Sequence, residues 1–127
     1  MVKLHVEAVP RWATGTPDYQ SIPVLLLVSV SDDAGVPVTG LHSSSFDVHW
    51  LANAETPIAT YLSDFREYSH LSHLLFPQFA GGYYSFVVVP VDVRWNFPQE
   101  FLMLSVRNGS DHGQTLCLAQ YYRITYP

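Results

Sequence analysis

Two carboxylates and two imidazoles follow one another at a constant spacing near the middle of the chain. In the stretch SDFREYSHLSHLLFP, Asp64, Glu67, His70 and His73 are each three residues apart. Carboxylate and imidazole side chains are ligands with which proteins bind zinc and other divalent metals. The spacing therefore raises the question of whether this segment is a metal site or a polar surface.

Regular backbone geometry limits what these four side chains can do together. On a helix, each step of three residues turns the chain by about 300°, so successive members drift by about 60°. His70 and His73 can then share a ligand, but all four cannot converge on one ion. On a strand, the odd spacing sends alternate members to opposite faces. Because no HExxH motif or pair of cysteines accompanies the segment, we predict a solvated polar face with no metal and no cofactor. A metal site or an enzyme that uses His70 and His73 is the alternative.

The same segment carries apolar residues at helical spacing. Steps of four, three, three and four residues separate Tyr61, Phe65, Tyr68, Leu71 and Leu75. This is the pattern of an amphipathic helix. Asp64 and Glu67 have the spacing of a capping box, and Pro77 would end the helix. The pattern predicts a short helix or helical turn at about 64–75.

The rest of the chain carries the signals of β-strands. Apolar alternation or short β-rich runs occur in VKLHVE, IPVLLLVSVS, SFDVHWL, PIATYL, YYSFVVVPV, EFLMLSVR and TLCLAQYYRIT. Turn-forming residues stand between them, as in DDAG and NGSDHG, where Asn and Gly tolerate positive φ. These segments predict an all-β fold, an antiparallel β-sandwich of seven or eight strands.

Composition limits the classes of partner. The 127 residues are 48% apolar and 13% charged, which fits one folded domain at 1–127. The formal net charge is −5, and the six Lys and Arg residues are scattered, so neither nucleic acid nor a membrane surface is an expected partner. The N-terminus lacks a signal-peptide pattern, and the longest apolar run is too short to span a bilayer. With Cys117 as the one cysteine, we expect a soluble protein that is cytoplasmic if the chain is complete.

Two motifs resemble those of bacterial immunoglobulin-like and transthyretin-like β-sandwich domains. The stretch VSVSDDAGVPVTGL is similar to their Asp-x-x-Gly-x-Pro-Val turn through Asp32, Gly35, Pro37 and Val38. The stretch GGYYSFVVVP resembles a later Gly-x-Tyr-x-Phe strand through Gly82, Tyr84 and Phe86. The resemblance implies an immunoglobulin-like sandwich, and such domains are mostly adhesive, spacer or accessory modules. The Cys-Trp-Cys core of antibody domains is absent.

Aromatic side chains in predicted loops suggest a binding surface. Trp12 and Tyr19 lie in a proline-rich loop, and Trp95 and Phe97 lie in DVRWNFPQ. Such residues either cover the ends of the core or bind a ligand, since exposed Tyr and Trp favour recognition.

We therefore expect a non-catalytic protein-interaction or accessory module, whose partner is another protein or a second copy of the chain. The alternative is a carbohydrate-binding module in which Trp12, Trp50 or Trp95 stacks on sugar rings. Cys117 is predicted to be inert core filling and no catalytic residue is predicted, because the chain has no nucleophile elbow, phosphate-binding loop or dinucleotide motif.

Overall fold

The computed structural model describes residues 3–12, 23–50, 60–68, 81–90 and 99–120. These residues form seven β-strands and one short 3₁₀ turn. In chain order the elements are β1 (His5–Trp12), β2 (Val24–Ser31), the 3₁₀ turn (Ser43–Ser45), β3 (Phe46–Trp50), β4 (Thr60–Tyr68), β5 (Tyr83–Pro90), β6 (Gln99–Asn108) and β7 (Asp111–Gln120).

The strands form two antiparallel sheets. One sheet has four strands in the order β1-β2-β5-β4, and the other has three in the order β3-β6-β7. The chain changes sheet between β2 and β3, between β3 and β4, and between β5 and β6. Their inward side chains form one hydrophobic cluster with members from both sheets. The predicted all-β antiparallel sandwich of seven or eight strands is confirmed.

The core follows the period of two seen in the sequence. In β2, the buried residues are Val24, Leu26, Val28 and Val30, with their neighbours less buried. In β3, Phe46 and Val48 are buried while Asp47 and His49 are exposed. Each large apolar side chain removed from water in this way contributes about 1.5–3 kcal/mol.

The predicted helix at 64–75 is wrong where the structure describes it. Residues 64–68 belong to β4, which pairs with β5, and residues 69–75 lie outside the described residues. The register shifts between Ser63 and Arg66, so that two residues of β4 oppose one of β5. Asp64 has a φ of 53°, which matches a β-bulge whose first residue is left-handed. The strand is therefore bulged at the position where the sequence suggested a helix start.

The bulge lets β4 place two apolar residues in the core at an odd spacing. Leu62 and Phe65 both pack against the core cluster, although three residues separate them. In an unbroken strand they would point to opposite faces. Phe65 lies 5.5 Å from Phe46 and 5.8 Å from Tyr84 between ring centroids. The apolar spacing of this segment thus reflects a strand with one extra residue.

The two motifs of the family resemblance meet at one end of the sandwich. Asp32 Oδ1 accepts hydrogen bonds from the backbone N–H groups of Ala34 and Val36, each 2.9 Å long, and so closes the DDAG turn. A Cβ added to Gly82 would lie 2.8 Å from Pro37 Cβ, and Gly82 has a φ of 78°. Only glycine fits here without displacement of the backbone.

Tyr84 fastens the chain that leaves the first motif. Its hydroxyl donates a 2.6 Å hydrogen bond to the Val38 carbonyl and accepts a 3.4 Å bond from the Leu41 N–H. Burial raises the pKa of Tyr84, and the Glu67 carboxylate adds a smaller increase. The hydrogen bond from the Leu41 N–H lowers the pKa but does not cancel the rise. The phenol is therefore neutral at physiological pH and able to donate. It anchors the connection between the two sheets.

Replacing Phe65 by Ala tests the bulged strand against the helix. We expect Phe65→Ala to reduce the free energy of unfolding by about 3 kcal/mol, as for large-to-small changes in a core. The matched control is Tyr61→Ala, since Tyr61 is 52% exposed on the outer side of the same strand; it should cost less than about 1 kcal/mol. Urea denaturation measures both. Equal losses for the two variants would favour the helix, which places both residues on one apolar stripe.

Replacing Gly82 by Ala tests the close contact between the two motifs. Gly82→Ala should cost at least about 1–2 kcal/mol more than Gly35→Ala. Both glycines have positive φ, at 78° and 79°, but nothing lies within 4 Å of a Cβ at Gly35. The difference between their urea midpoints therefore isolates the clash of the added Cβ with Pro37 Cβ and with the Val30 carbonyl oxygen, at 2.8 and 2.9 Å. Equal midpoints would contradict the contact.

Candidate interaction surface

The predicted aromatic site lies outside the side chains that the structure describes. Trp12 ends β1 and Trp50 ends β3, but only their backbones are described. The other predicted residues lie outside the described ranges altogether: Tyr19, His70, His73, Trp95 and Phe97. The aromatic binding surface and the histidine alternative therefore stay predictions.

The two described members of the three-residue series have separate roles. The Glu67 carboxylate accepts hydrogen bonds from the Gly40 N–H, at 3.1 Å to Oε1 and 2.9 Å to Oε2. Asp64 Oδ1 instead accepts a 3.2 Å bond from Arg66 Nε at the bulge. Among the described residues no three His, Cys, Asp or Glu side chains are placed to hold a metal ion. The Glu67 carboxylate thus holds the loop at Gly40 in place, and the Asp64 carboxylate is hydrogen-bonded within the bulge.

Cys117 is a core residue, as the sequence predicted. It is 5% exposed, and its Sγ donates a 3.5 Å hydrogen bond to the Leu102 carbonyl. Burial raises the pKa of its thiol. His112 is exposed, and the five-residue step along β7 puts it on the opposite face. The two residues therefore do not form a thiolate–imidazole pair.

Large apolar side chains cover part of the outer face of the three-stranded sheet. On this face, Phe101 of β6 is opposite Leu118 of β7, and Met103 is opposite Leu116. Phe101, Leu116 and Leu118 are 44%, 53% and 39% exposed. We call these four outward side chains the β6–β7 face. Because they are adjacent cross-strand pairs, they form one continuous apolar block.

Polar side chains border the β6–β7 face. Along the strands, the next cross-strand pair is Ser105 and Gln114, joined by a 3.3 Å hydrogen bond from Gln114 Nε2 to Ser105 Oγ. On β3, His49 Nε2 lies 3.1 Å from Asp47 Oδ2, with both side chains largely in solvent. An exposed pair of this kind contributes little stability. An apolar centre beside a polar margin is the usual anatomy of a protein interface.

The outer face of the four-stranded sheet carries an apolar groove. Its volume is about 500 Å³, within the range of ligand pockets. Its outward lining side chains are Glu7, Val9, Leu27, Ser29, Tyr68 and Tyr83. The hydroxyls of Tyr68 and Ser85 are hydrogen-bonded at 2.9 Å, so Ser85 is satisfied although it is buried. Val9 and Leu27 remain exposed to solvent.

Comparison of the chain with protein-family models, with curated proteins and with solved structures found no match. In the part of the chain that the structure describes, no helix has the length and apolar character needed to cross a membrane.

Sequence reasoning missed the apolar outer faces, although a signal for them is present. Apolar side chains occupy consecutive positions in FLML at 101–104 and in LCLA at 116–119. In an antiparallel sandwich whose outer faces meet water, alternate positions are expected to be polar. An unbroken apolar run in such a fold therefore indicates that both faces of the strand carry apolar side chains.

A thiol reagent tests the placement of Cys117. In native buffer at about pH 8, we expect modification to be slower than in urea by at least a hundredfold, because the thiol is buried and its pKa is raised. The rate is followed by mass spectrometry, with free cysteine as the reference for the reagent. Rapid labelling of folded protein would contradict the core position and the prediction that Cys117 is inert.

Proposed function

We propose that this protein is a non-catalytic protein-interaction module, an accessory subunit or adaptor, built on an immunoglobulin-like sandwich. The observation that carries the proposal is the continuous apolar block on the β6–β7 face. Single exposed apolar residues are ordinary, but a contiguous patch with a polar margin marks an association surface. The apolar groove on the opposite sheet is a second surface of the same kind.

The strand order supports the immunoglobulin-like part of the proposal. Immunoglobulin constant-type domains place strands A, B, E and D in one sheet and strands C, F and G in the other. Lettered along this chain, the observed orders β1-β2-β5-β4 and β3-β6-β7 give the same arrangement. The two motifs of the family resemblance also contact each other. Gly82 lies against Pro37, and the Tyr84 hydroxyl is bonded to the Val38 carbonyl, so the motifs form one structural unit.

The proposal takes another protein or a second copy of the chain as the partner. An apolar centre with a polar margin suits a protein surface, which supplies apolar side chains to fill the centre and polar groups for the margin. The carbohydrate alternative rests on Trp12, Trp50 and Trp95, whose side chains are outside the described residues, and it stays a prediction from the sequence.

Co-purification with a charged variant of the face tests the proposal. Immobilised protein is exposed to extract from its native source, and the retained proteins are identified by mass spectrometry. We expect Leu116→Glu to lower the retained amount of a specific partner protein by at least tenfold, or that of soluble copies of the chain added to the extract. The reason is that a carboxylate placed in an apolar contact loses its hydration. The control is Gln114→Glu, which places the same charge two residues away on the same exposed side of β7.

Thermal melts must first show that both variants remain folded. Leu27→Glu places the same charge in the groove of the other sheet. If neither Leu116→Glu nor Leu27→Glu changes the amount of partner retained, association through either outer face is contradicted. Turnover of a small substrate that is lost on mutation of one polar residue would contradict the non-catalytic part.

A further inference from the structure

Three basic side chains lie side by side at the hairpin end of the three-stranded sheet. Arg107 of β6 is the cross-strand neighbour of His112 of β7, and Lys3 forms a parallel β-bridge with His112 from the other side. Residues that are paired in this way turn their side chains to the same face of a sheet. All three are exposed to solvent. We call Lys3, His112 and Arg107 the basic row.

The backbone fixes the position of Lys3 in the basic row. The Leu4 N–H donates a 2.8 Å hydrogen bond to the His112 carbonyl. A Cβ at Gly113 would overlap the Leu4 carbonyl oxygen, so glycine at this position lets the Lys3 segment approach β7. Neighbouring strands are about 4.8 Å apart, which puts the Cα atoms of Lys3 and Arg107 about 10 Å from each other. The long side chains of Lys3 and Arg107 can therefore reach the same point above His112.

No carboxylate of the described residues neutralises the basic row. The described ion pairs join Asp33 to His5, Asp47 to His49 and Asp64 to Arg66. Asp111 precedes His112 on β7 and, by strand alternation, points to the opposite face. The structure describes four Lys and Arg residues, and two of them belong to the row, although the whole chain has a formal net charge of −5. Like charges on neighbouring strands destabilise a sheet, so a bound anion would stabilise this arrangement.

Shallow depressions of the surface border the basic row on both sides of His112. One has a volume of about 400 Å³, and its lining includes Arg107, His112 and Gln114. The other has a volume of about 510 Å³, and its lining includes Lys3, His112 and Gln114. Each is large enough for one small anion. Because the row is exposed, an anion bound there keeps part of its hydration, and its affinity is modest.

The donors of the basic row match a phosphate group better than a carboxylate. A guanidinium offers a fork of N–H donors that binds two oxygens of one anion, an ammonium offers three donors, and an imidazole offers at least one. A phosphate monoester carries a charge of about −2 at neutral pH and has three strong acceptor oxygens. A carboxylate has one charge and two oxygens, which would leave either Lys3 or Arg107 without a counterion.

We propose that the basic row binds a phosphate group, either the free ion or the terminal group of a phosphate monoester. The Arg107 guanidinium binds two of its oxygens, the Lys3 ammonium binds a third, and the His112 imidazole donates a hydrogen bond from between them. The inference goes beyond the proposed function, because it needs the basic row alone and assigns no role to the apolar β6–β7 face.

Titration of the full chain, followed by its backbone amide signals in NMR spectra, tests the site. Inorganic phosphate and O-phosphoserine are added at about pH 7.5, with sodium chloride adjusted to hold the ionic strength constant. We expect the amide signals of Lys3, Arg107 and His112 to shift to saturation with a dissociation constant of about 1–10 mM, because the row is exposed. Saturable binding of either compound supports the site, and the tighter of the two identifies the ligand as a monoester or as the free ion.

Removal of one charge at a time separates a site from general attraction of anions. Arg107→Gln and Lys3→Gln should each weaken phosphate binding by at least about fivefold. The matched control, Arg11→Gln, removes the same charge from an exposed position on β1 and should change binding by less than about twofold.

Equal losses in all three variants, or acetate that binds as tightly as phosphate, would overturn the proposal. So would the absence of saturable shifts in the basic row up to about 50 mM phosphate. Each of these results would leave the proposed function standing, because co-purification with Leu116→Glu tests it separately.

Discussion

The contact of Phe46 with three aromatic rings of the opposite sheet is the interaction on which the rest of the sandwich depends. The ring centroids of Phe65, Tyr84 and Phe86 lie 5.5, 5.2 and 5.2 Å from that of Phe46. These distances are those of favourable tilted aromatic pairs. Phe46 begins β3 immediately after the 3₁₀ turn. With Phe46 inward, alternation turns Asp47 outward, and the ladder from β3 to β6 then sets which side of β6 faces solvent. A contact inside the core thus decides what the outer face presents.

The β4 segment shows where a sequence pattern has two structural meanings. Tyr61, Phe65 and Tyr68 recur at helical spacing, and Asp64 has a position that suits a helix N-cap. A strand with one bulge produces the same spacing, because the extra residue changes the side-chain phase between Leu62 and Phe65. The pairing partner β5 decides between them, and it is distant along the chain. Local residue propensities do not include the effect of a distant pairing strand, so the sequence alone favours a helix where a strand forms.

Strands with clear alternation were predictable, and the apolar outer face was not. In β3, Asp47 and His49 mark the outward positions, and in β2 Ser29 and Ser31 do so at the end of the strand, so the inward set could be assigned from the sequence. In β6, residues 101–104 are all apolar, and periodicity alone does not decide which pair faces the core. The register with β3 decides it, because Val48 is buried opposite Leu104. The candidate surface therefore follows from long-range pairing, whereas the aromatic loop residues that the sequence highlighted lie outside the described residues.

Oxidation of Met103 is the measurement that most directly tests whether the β6–β7 face is covered by association. Met103 is half-buried on this face, and the chain has two methionines, Met1 and Met103, so a peptide map separates their sulfoxides. Sulfoxide formation requires access of peroxide to the sulfur. With peroxide in excess, the oxidation rate of Met103 should fall when a partner protein from the native extract, or a second copy at high protein concentration, covers the face, and it should stay at its dilute value in Leu116→Glu. A wild-type rate for Met103 that is the same with and without extract and at all protein concentrations would contradict coverage of this face by association.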